Sequence, residues 1–461
     1  MEELNKKLSR RKFMKGLGVS SAIAAGAVLT SATTVAAAEG GIDPGEKLGA
    51  HDAYDGSSIK RVLPANFYKE IETRSGYIGT TKIVDPGNRF DARQHGFAQI
   101  SACIGSGDFS VEKSSWGPVL QKAFAAKKQF QSEISAELKE DYVWSGALTN
   151  SMDAMHYTLR SGNFDSIPIS GNKLTLSPEE ATAKIKKLAY WIGLERVGIC
   201  EITEDLKPYF YSKRTTGLKT VGVPAGFKVD GIDVPWPFPY KYCICMADAC
   251  DYNAGRGLRG PLVEATGKTS CMVSDFPAYQ METIIRSLGY DAKANAICDT
   301  ATMSEPLAVQ AGLGELGRSG LVISPWGGNF RLTECFTNLP LIPDKPIDFG
   351  LQEFCKVCKK CAVNCPASAI SMDDEPSEVV KASKFIGWNT DSYKCLTERI
   401  VHGCSTCQAI CPWSKPDTII HEIGRTIGQN KAFAPFLVKL DDFFYGAKPE
   451  GLDVPTWAPW R

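Results

Sequence analysis

Eight of the sixteen cysteines fall in two runs between Cys355 and Pro412. The first run is Cys355, Cys358, Cys361 and Cys365, closed by Pro366; the second is Cys395, Cys404, Cys407 and Cys411, closed by Pro412. A cubane iron–sulfur cluster needs four soft thiolates at tetrahedral corners, and gaps of two or three residues set three of them on one tight loop. Zinc sites usually show two separated pairs of ligands, and a disulfide framework gives no reason for two Cys-Pro endings. The pattern predicts two [4Fe–4S] clusters.

The gaps of the first run are those of bacterial two-cluster ferredoxins, in which the fourth ligand comes from the other run. That crossing assigns Cys355, Cys358, Cys361 and Cys411 to one cluster, and Cys395, Cys404, Cys407 and Cys365 to the second. The second run departs from the pattern in having eight residues between Cys395 and Cys404. The other cysteines (Cys103, Cys200, Cys243, Cys245, Cys250, Cys271, Cys298 and Cys335) are scattered, several inside apolar runs, and read as small buried residues. No two of the five histidines sit at a metal-ligand spacing.

The rest of the chain must position this chemistry. Its 461 residues suffice for two or three domains, and 43% hydrophobic content suits a substantial core. Lys plus Arg equals Asp plus Glu at 52 each, so net charge points to no nucleic-acid partner. Residues 1–38 read as a twin-arginine signal: Arg10-Arg11 precedes a Gly/Ala-rich apolar region, and Ala36-Ala37-Ala38 suits a signal peptidase. Residues 39–165 are expected to be an irregular N-terminal unit with one helix from about Trp116 to Leu138. Residues 166–345 carry clearer signals. Ser177, Pro178 and Glu180 form a capping box ahead of an apolar helical face, with Gly193 as the stop. Arg196–Ile202 and Tyr240–Ala247 read as buried strands. Ser274 or Asp275 reads as the cap of a second helix ahead of Pro277, ending at Gly289. Helices alternating with strands predict an α/β core, mixed with α+β character. Residues 346–415 hold the cysteine runs, and residues 416–461, rich in aromatics and proline, read as a cover.

Gly312-Leu313-Gly314-Glu315-Leu316-Gly317 formally matches a dinucleotide fingerprint, but that motif must leave a strand and open a helix. Ser304–Ala311 looks helical, so nicotinamide binding is not expected. The glycines indicate close approach of backbone to a ligand or a neighbouring helix.

Taken together, the export signal, the Ala311–Arg318 stretch, Asp344-Lys345-Pro346 and the two cysteine runs with their wide gap resemble the reductive dehalogenases of organohalide-respiring anaerobes. The resemblance implies a nitroreductase-like core binding a base-off corrinoid, with Gly312, Leu313, Gly314 and Gly317 as candidate corrinoid contacts. It also implies a ferredoxin-like domain whose clusters relay electrons to the cobalt. It makes Tyr279, opening a helix, a candidate proton donor, assisted by Arg331 in Gly327-Gly328-Asn329-Phe330-Arg331. A phenol with a pKa near ~10 is a poor acid at neutral pH, and an adjacent guanidinium would lower it. The plainer readings are a core aromatic for Tyr279 and a surface ion pair for Arg331. Trp388 and Tyr393 match positions lining an apolar substrate pocket, with Trp116 and Trp144 as looser candidates.

The resemblance further implies a halogenated small-molecule substrate, an upstream respiratory electron donor and a small integral-membrane anchor protein. The expected location is the outer face of the cytoplasmic membrane, held peripherally. Two other readings compete. Epoxyqueuosine reductase, a corrinoid and two-cluster enzyme acting on tRNA, is opposed by the export signal and the lack of a basic patch. A non-catalytic electron-transfer subunit is opposed by the roughly 300 residues of domain upstream of the clusters.

Overall fold

The computed structural model describes residues 67–448 apart from 85–88, 97, 101–102, 104–106, 113, 162–167, 216–230, 251–257, 297–300, 326, 377, 381–383 and 416–418. The twin-arginine segment therefore lies outside the described residues. Among those described, no helix is long and apolar enough to cross a membrane.

The centre is a four-stranded sheet of β1 (Arg196–Glu201), β2 (Tyr242–Ala249), β3 (Ala292–Asn295) and β4 (Phe330–Thr337). Its order is β1-β2-β4-β3, with every neighbouring pair antiparallel. Alternation along each strand sends side chains to two faces, and both faces are covered. On one, Val197, Ile199, Ile244, Met246 and Cys335 meet Ile185 and Ala189 of α3 (Pro178–Trp191) and Ala278, Met281 and Ile285 of α4 (Pro261–Ser287). On the other, Cys200, Cys243, Cys245 and Phe336 meet Tyr209 and Leu307, Ala308 and Ala311, at and just beyond α5 (Ser304–Gln310). Each fully buried Val, Leu, Ile, Met or Phe among them contributes about 1.5–3 kcal/mol. The result is a mixed α/β core, as read from the alternation of elements.

α3 starts as its sequence dictates: Ser177 Oγ accepts from the Glu180 N–H and the Glu180 carboxylate accepts from the Ser177 N–H. Two helices differ from expectation. The helix expected from Trp116 to Leu138 is two, α1 (Gly117–Glu133) and α2 (Ala136–Ser161). The break is at Ile134, and Ser135 Oγ takes up the Leu138 N–H that opens the second. Ser274 and Asp275 are not caps. They are fully buried inside α4, which starts thirteen residues earlier at Gly260-Pro261 and carries Pro277 internally. The Thr266, Thr269, Ser270 and Ser274 hydroxyls each donate to the carbonyl four residues back, which satisfies them inside the helix and leaves none of them to cap a start.

Asp344 clasps the core to the C-terminal part of the chain. Its carboxylate accepts from Lys186 Nζ of α3 at 2.6 Å and from the Ile199 N–H of β1 at 2.8 Å. Beyond it, Phe349, Leu351, Phe354, Trp388 and Trp413 form a further core that includes Cys355. α8 (Ile419–Gly428) and α9 (Ala434–Tyr445) close over it through Ala434 and Leu437. Arg425, buried in α8, donates to the carbonyls of Trp413 and Lys415.

Candidate functional site

The first cysteine run lies on α6 (Leu351–Cys358) and the short turn after it, where Lys359 takes a left-handed conformation at φ 49°. Cys355, Cys358, Cys361 and Cys411 line one pocket, together with Arg318, Phe354, Pro412 and the edge of Cys407. The other four thiols form a second group: Cys407 is influenced by Cys404, Cys395 and Cys365, and Cys395 by Cys404 and Cys365. α7 (Ser392–His402) and the turn Thr406–Ala409 present Cys395 and Cys407, with Cys404 between these elements. The wide gap in the second run is thus filled by a helix. Burial pushes the Cys355 and Cys407 thiols up to about 12. Iron must therefore displace protons as it binds, because the ligand form is the thiolate.

Arg318 ties the core to the first group. It is 1% exposed, donates from Nε and Nη2 to the Cys355 carbonyl and from Nη1 to those of Ser371 and Asp373, and lies 4.6 Å from the Trp388 ring centroid. Desolvation lowers its pKa, whereas the Cys361, Cys355 and Cys358 thiols raise it.

Beside the second group a cleft opens. An added Cβ on Gly267 of α4 would lie 3.4 Å from Arg331 Nη2 and 3.8 Å from Arg399 Nη2, so the two guanidiniums converge on one bare turn of helix. Arg399 is exposed. Yet desolvation and Arg331 hold its pKa down, and Cys271, Cys395 and Cys404 push it up. A side chain that touches solvent but is walled by protein lines a concave surface. Arg331 Nε is buried without a hydrogen-bond partner. Tyr393, on the same helix as Cys395, stacks on Trp116 at 3.9 Å between centroids, and Trp116 packs with Leu120 and Leu396.

Several expected site residues fall elsewhere. Tyr279 is inside α4, packed in the core against the sheet and 7% exposed. It is twelve residues from Gly267, a rise of about 18 Å, so the expected phenol–guanidinium pair with Arg331 is not made. Trp388 is buried beside Arg318, donating from Nε1 to the Asp373 carbonyl at 3.0 Å, and shares a core with Cys355. Trp144 is 51% exposed on α2.

The glycine motif has its own internal explanation. Gly312, at φ 74°, ends α5; Gly314 and Gly317 pack on Ile323, where an added Cβ would lie 2.3 Å from its carbonyl and 2.8 Å from its Cδ1. Leu313 is core. The close approach in the structure is to the chain's own hairpin of Glu315–Leu316 and Val322–Ile323. Ser304–Gln310 is helical, and no dinucleotide motif is formed. Arg399 and Gly267, which sequence reasoning missed, carry no local signal: they meet only through the fold.

Two groups of four thiols beside an α/β core define a protein that can hold two iron–sulfur clusters. Residues 354–414 match the family described as a 4Fe–4S double cluster binding domain. The chain is similar to the tetrachloroethene reductive dehalogenase of Dehalobacter restrictus, 33% identical over 302 residues, covering 58% of this chain and 54% of that one. A shorter similarity, 35% over 122 residues, joins 24% of this chain to 37% of the epoxyqueuosine reductase of Cyclobacterium marinum. Among solved structures, a reductive dehalogenase whose title concerns B12-dependent dehalogenation shares the fold, with TM-score 0.62 and 21% identity over 84% of this chain and 49% of that one. The resemblance to reductive dehalogenases is thus found in sequence and in fold. The chain spans about half the length of the curated relatives it matches.

Proposed function

We infer that this chain is a corrinoid-dependent reductive dehalogenase, acting on a halogenated hydrocarbon with electrons passed through two [4Fe–4S] clusters. The observation that supports it most directly is the cleft at Gly267, where two guanidiniums meet beside the second cysteine group. A bare glycine and an unpartnered Arg331 Nε offer room and a donor to a group that carries polar side arms. A corrinoid supplies a low-potential reductant for carbon–halogen cleavage. Arg331 and Arg399 hold positive charge where halide departs, which stabilises the developing anion in a site of low dielectric. Trp116 and Tyr393 give the apolar wall that a substrate with few hydrogen-bonding groups requires.

The clusters relay electrons toward this cleft, as part of a nitroreductase-like core with an attached ferredoxin-like domain. Export by the twin-arginine route to the outer membrane face, a respiratory electron donor and a membrane-anchor protein complete the reading. The test is anaerobic reconstitution followed by cobalt and iron analysis and a screen of chlorinated substrates. Iron without cobalt, even with corrinoid supplied, would leave an electron carrier and overturn the reading. Arg331→Met should lower turnover about 100-fold with both clusters retained. Tyr279→Phe should stay within about threefold of the parent, because a core position cannot deliver a proton to the cleft. A loss of about 100-fold in Tyr279→Phe would restore the phenol as donor.

A further inference from the structure

Cys200, Cys243 and Cys245 belong to neither cysteine run. Cys243 and Cys245 are two apart on β2 and so point to one face, and Cys200 of β1 stands directly opposite Cys243 in register. All three are 0–2% exposed. Among the described residues they are the one group of His, Cys, Asp or Glu side chains whose ligand atoms all lie within 4.8 Å of one another. The Cys243 and Cys245 Sγ atoms are 3.7 Å apart. A tetrahedral zinc ion with bonds of about 2.3 Å spaces its sulfurs by about 3.8 Å.

A second observation comes from the neighbouring strand. Glu334 of β4 is directly opposite Cys245 and 0% exposed. Its Oε2 accepts from Asn295 Nδ2 at 2.8 Å, while its buried Oε1 makes no hydrogen bond of full geometry, and the carboxylate has the Ser304 hydroxyl as a further polar neighbour. Directly opposed residues have Cβ atoms about 5 Å apart, which sets Glu334 beside the thiols, with its carboxylate outside the 4.8 Å group the three sulfurs form.

We propose that Cys200, Cys243, Cys245 and Glu334 form a closed structural zinc site, distinct from the two iron–sulfur centres. Four monoanionic ligands around a dication carry the same net charge as the all-cysteine sites, with four thiolates, that zinc occupies structurally. The ion gives the buried Glu334 oxygen a partner and pins β1, β2 and β4 together. The site is sealed: an added Cβ on Gly198, which precedes Cys200 on the same face of β1, would lie 2.1 Å from the Ala311 carbonyl. No position is left for water or substrate, so the ion does not take part in turnover.

The experiment uses the full chain, purified anaerobically from zinc-supplemented medium with its clusters in place. Metal analysis should give one zinc per chain beyond the iron, and zinc-edge X-ray absorption should show three sulfurs near 2.3 Å and one oxygen near 2.0 Å. The Cys243→Ser/Cys245→Ser variant should lose the zinc and keep its iron, and Glu334→Gln should release zinc to a chelator faster. Wild-type protein without zinc, zinc carrying four sulfurs, copper bound to these thiols, or a Cys200–Cys243 disulfide in the peptide map would each overturn the proposal. The absorption spectrum of the wild type decides the matter even where the variants fail to fold.

Discussion

Arg318 places a full positive charge against the first cysteine group with no carboxylate between them. Its hydrogen bonds go to carbonyls, and the Cys361, Cys355 and Cys358 thiols are foremost among the groups that raise its pKa. At about 7 Å and an effective dielectric of about 20, one unit charge acts on one transferred electron with roughly 2.4 kcal/mol, or about 100 mV. Arg318→Met should therefore lower the first cluster's potential by about 100 mV. Arg318→Lys keeps the charge and loses the fork. Its potential should move by less than ~30 mV, while stability falls by about 3–5 kcal/mol as charge-assisted bonds to the Cys355, Ser371 and Asp373 carbonyls are lost. The assay is an EPR-monitored redox titration of each anaerobic variant, paired with urea unfolding. A Met variant holding both clusters at the parent potential would refute the argument, and so would a Lys variant that shifts as far as Met.

Two further outcomes rest on buried charge. Lys186→Met leaves the Asp344 carboxylate buried without its cation and should cost about 3–5 kcal/mol in chemical denaturation, most of it recovered in the Lys186→Met/Asp344→Leu pair. Burial pushes Glu315 up to about 7, against the N–H groups of Phe349 and Leu351 that partly hold it down. The folded state thus binds this proton more tightly than the unfolded chain. Its stabilising contribution is complete below about pH 4.5 and lost as pH rises to about 7, roughly 3 kcal/mol in all. Glu315→Gln should remove that slope from the urea midpoint between those pH values; an unchanged slope would show that Glu315 is not its source.

What could be read from the chain was local. The capping box at Ser177 and Glu180 and the buried strands at Arg196 and Tyr242 depend on neighbours in sequence, and each is found. The start of α4 was misread because Pro277 looks like a first-turn proline. The Gly260-Pro261 start and the apolar face the helix buries along its length, on both sides of Pro277, outweigh it. The glycine motif was legible as close backbone approach but not as approach to Ile323, since the partner lies across a hairpin. The cleft was the least visible: Gly267, Arg331 and Arg399 come from three separate elements, and nothing in the spacing of any one announces the other two. The three sheet cysteines read singly as small apolar residues, and only cross-strand register makes them a group.

The exchange of Cys365 and Cys411 between the two cysteine groups also sets a timetable for synthesis. The chain leaves the ribosome from its N-terminus, so Cys355, Cys358 and Cys361 emerge long before the residue that completes their pocket, Cys411. Neither centre can be filled with all its ligands from one run, and the first three thiols of each group take a fourth from the other run. Loading of the first centre must therefore wait until Cys411 has been made. The helices that close over the first group, α8 and α9, are the last described segments to be translated, so they can shut behind the iron instead of barring its entry.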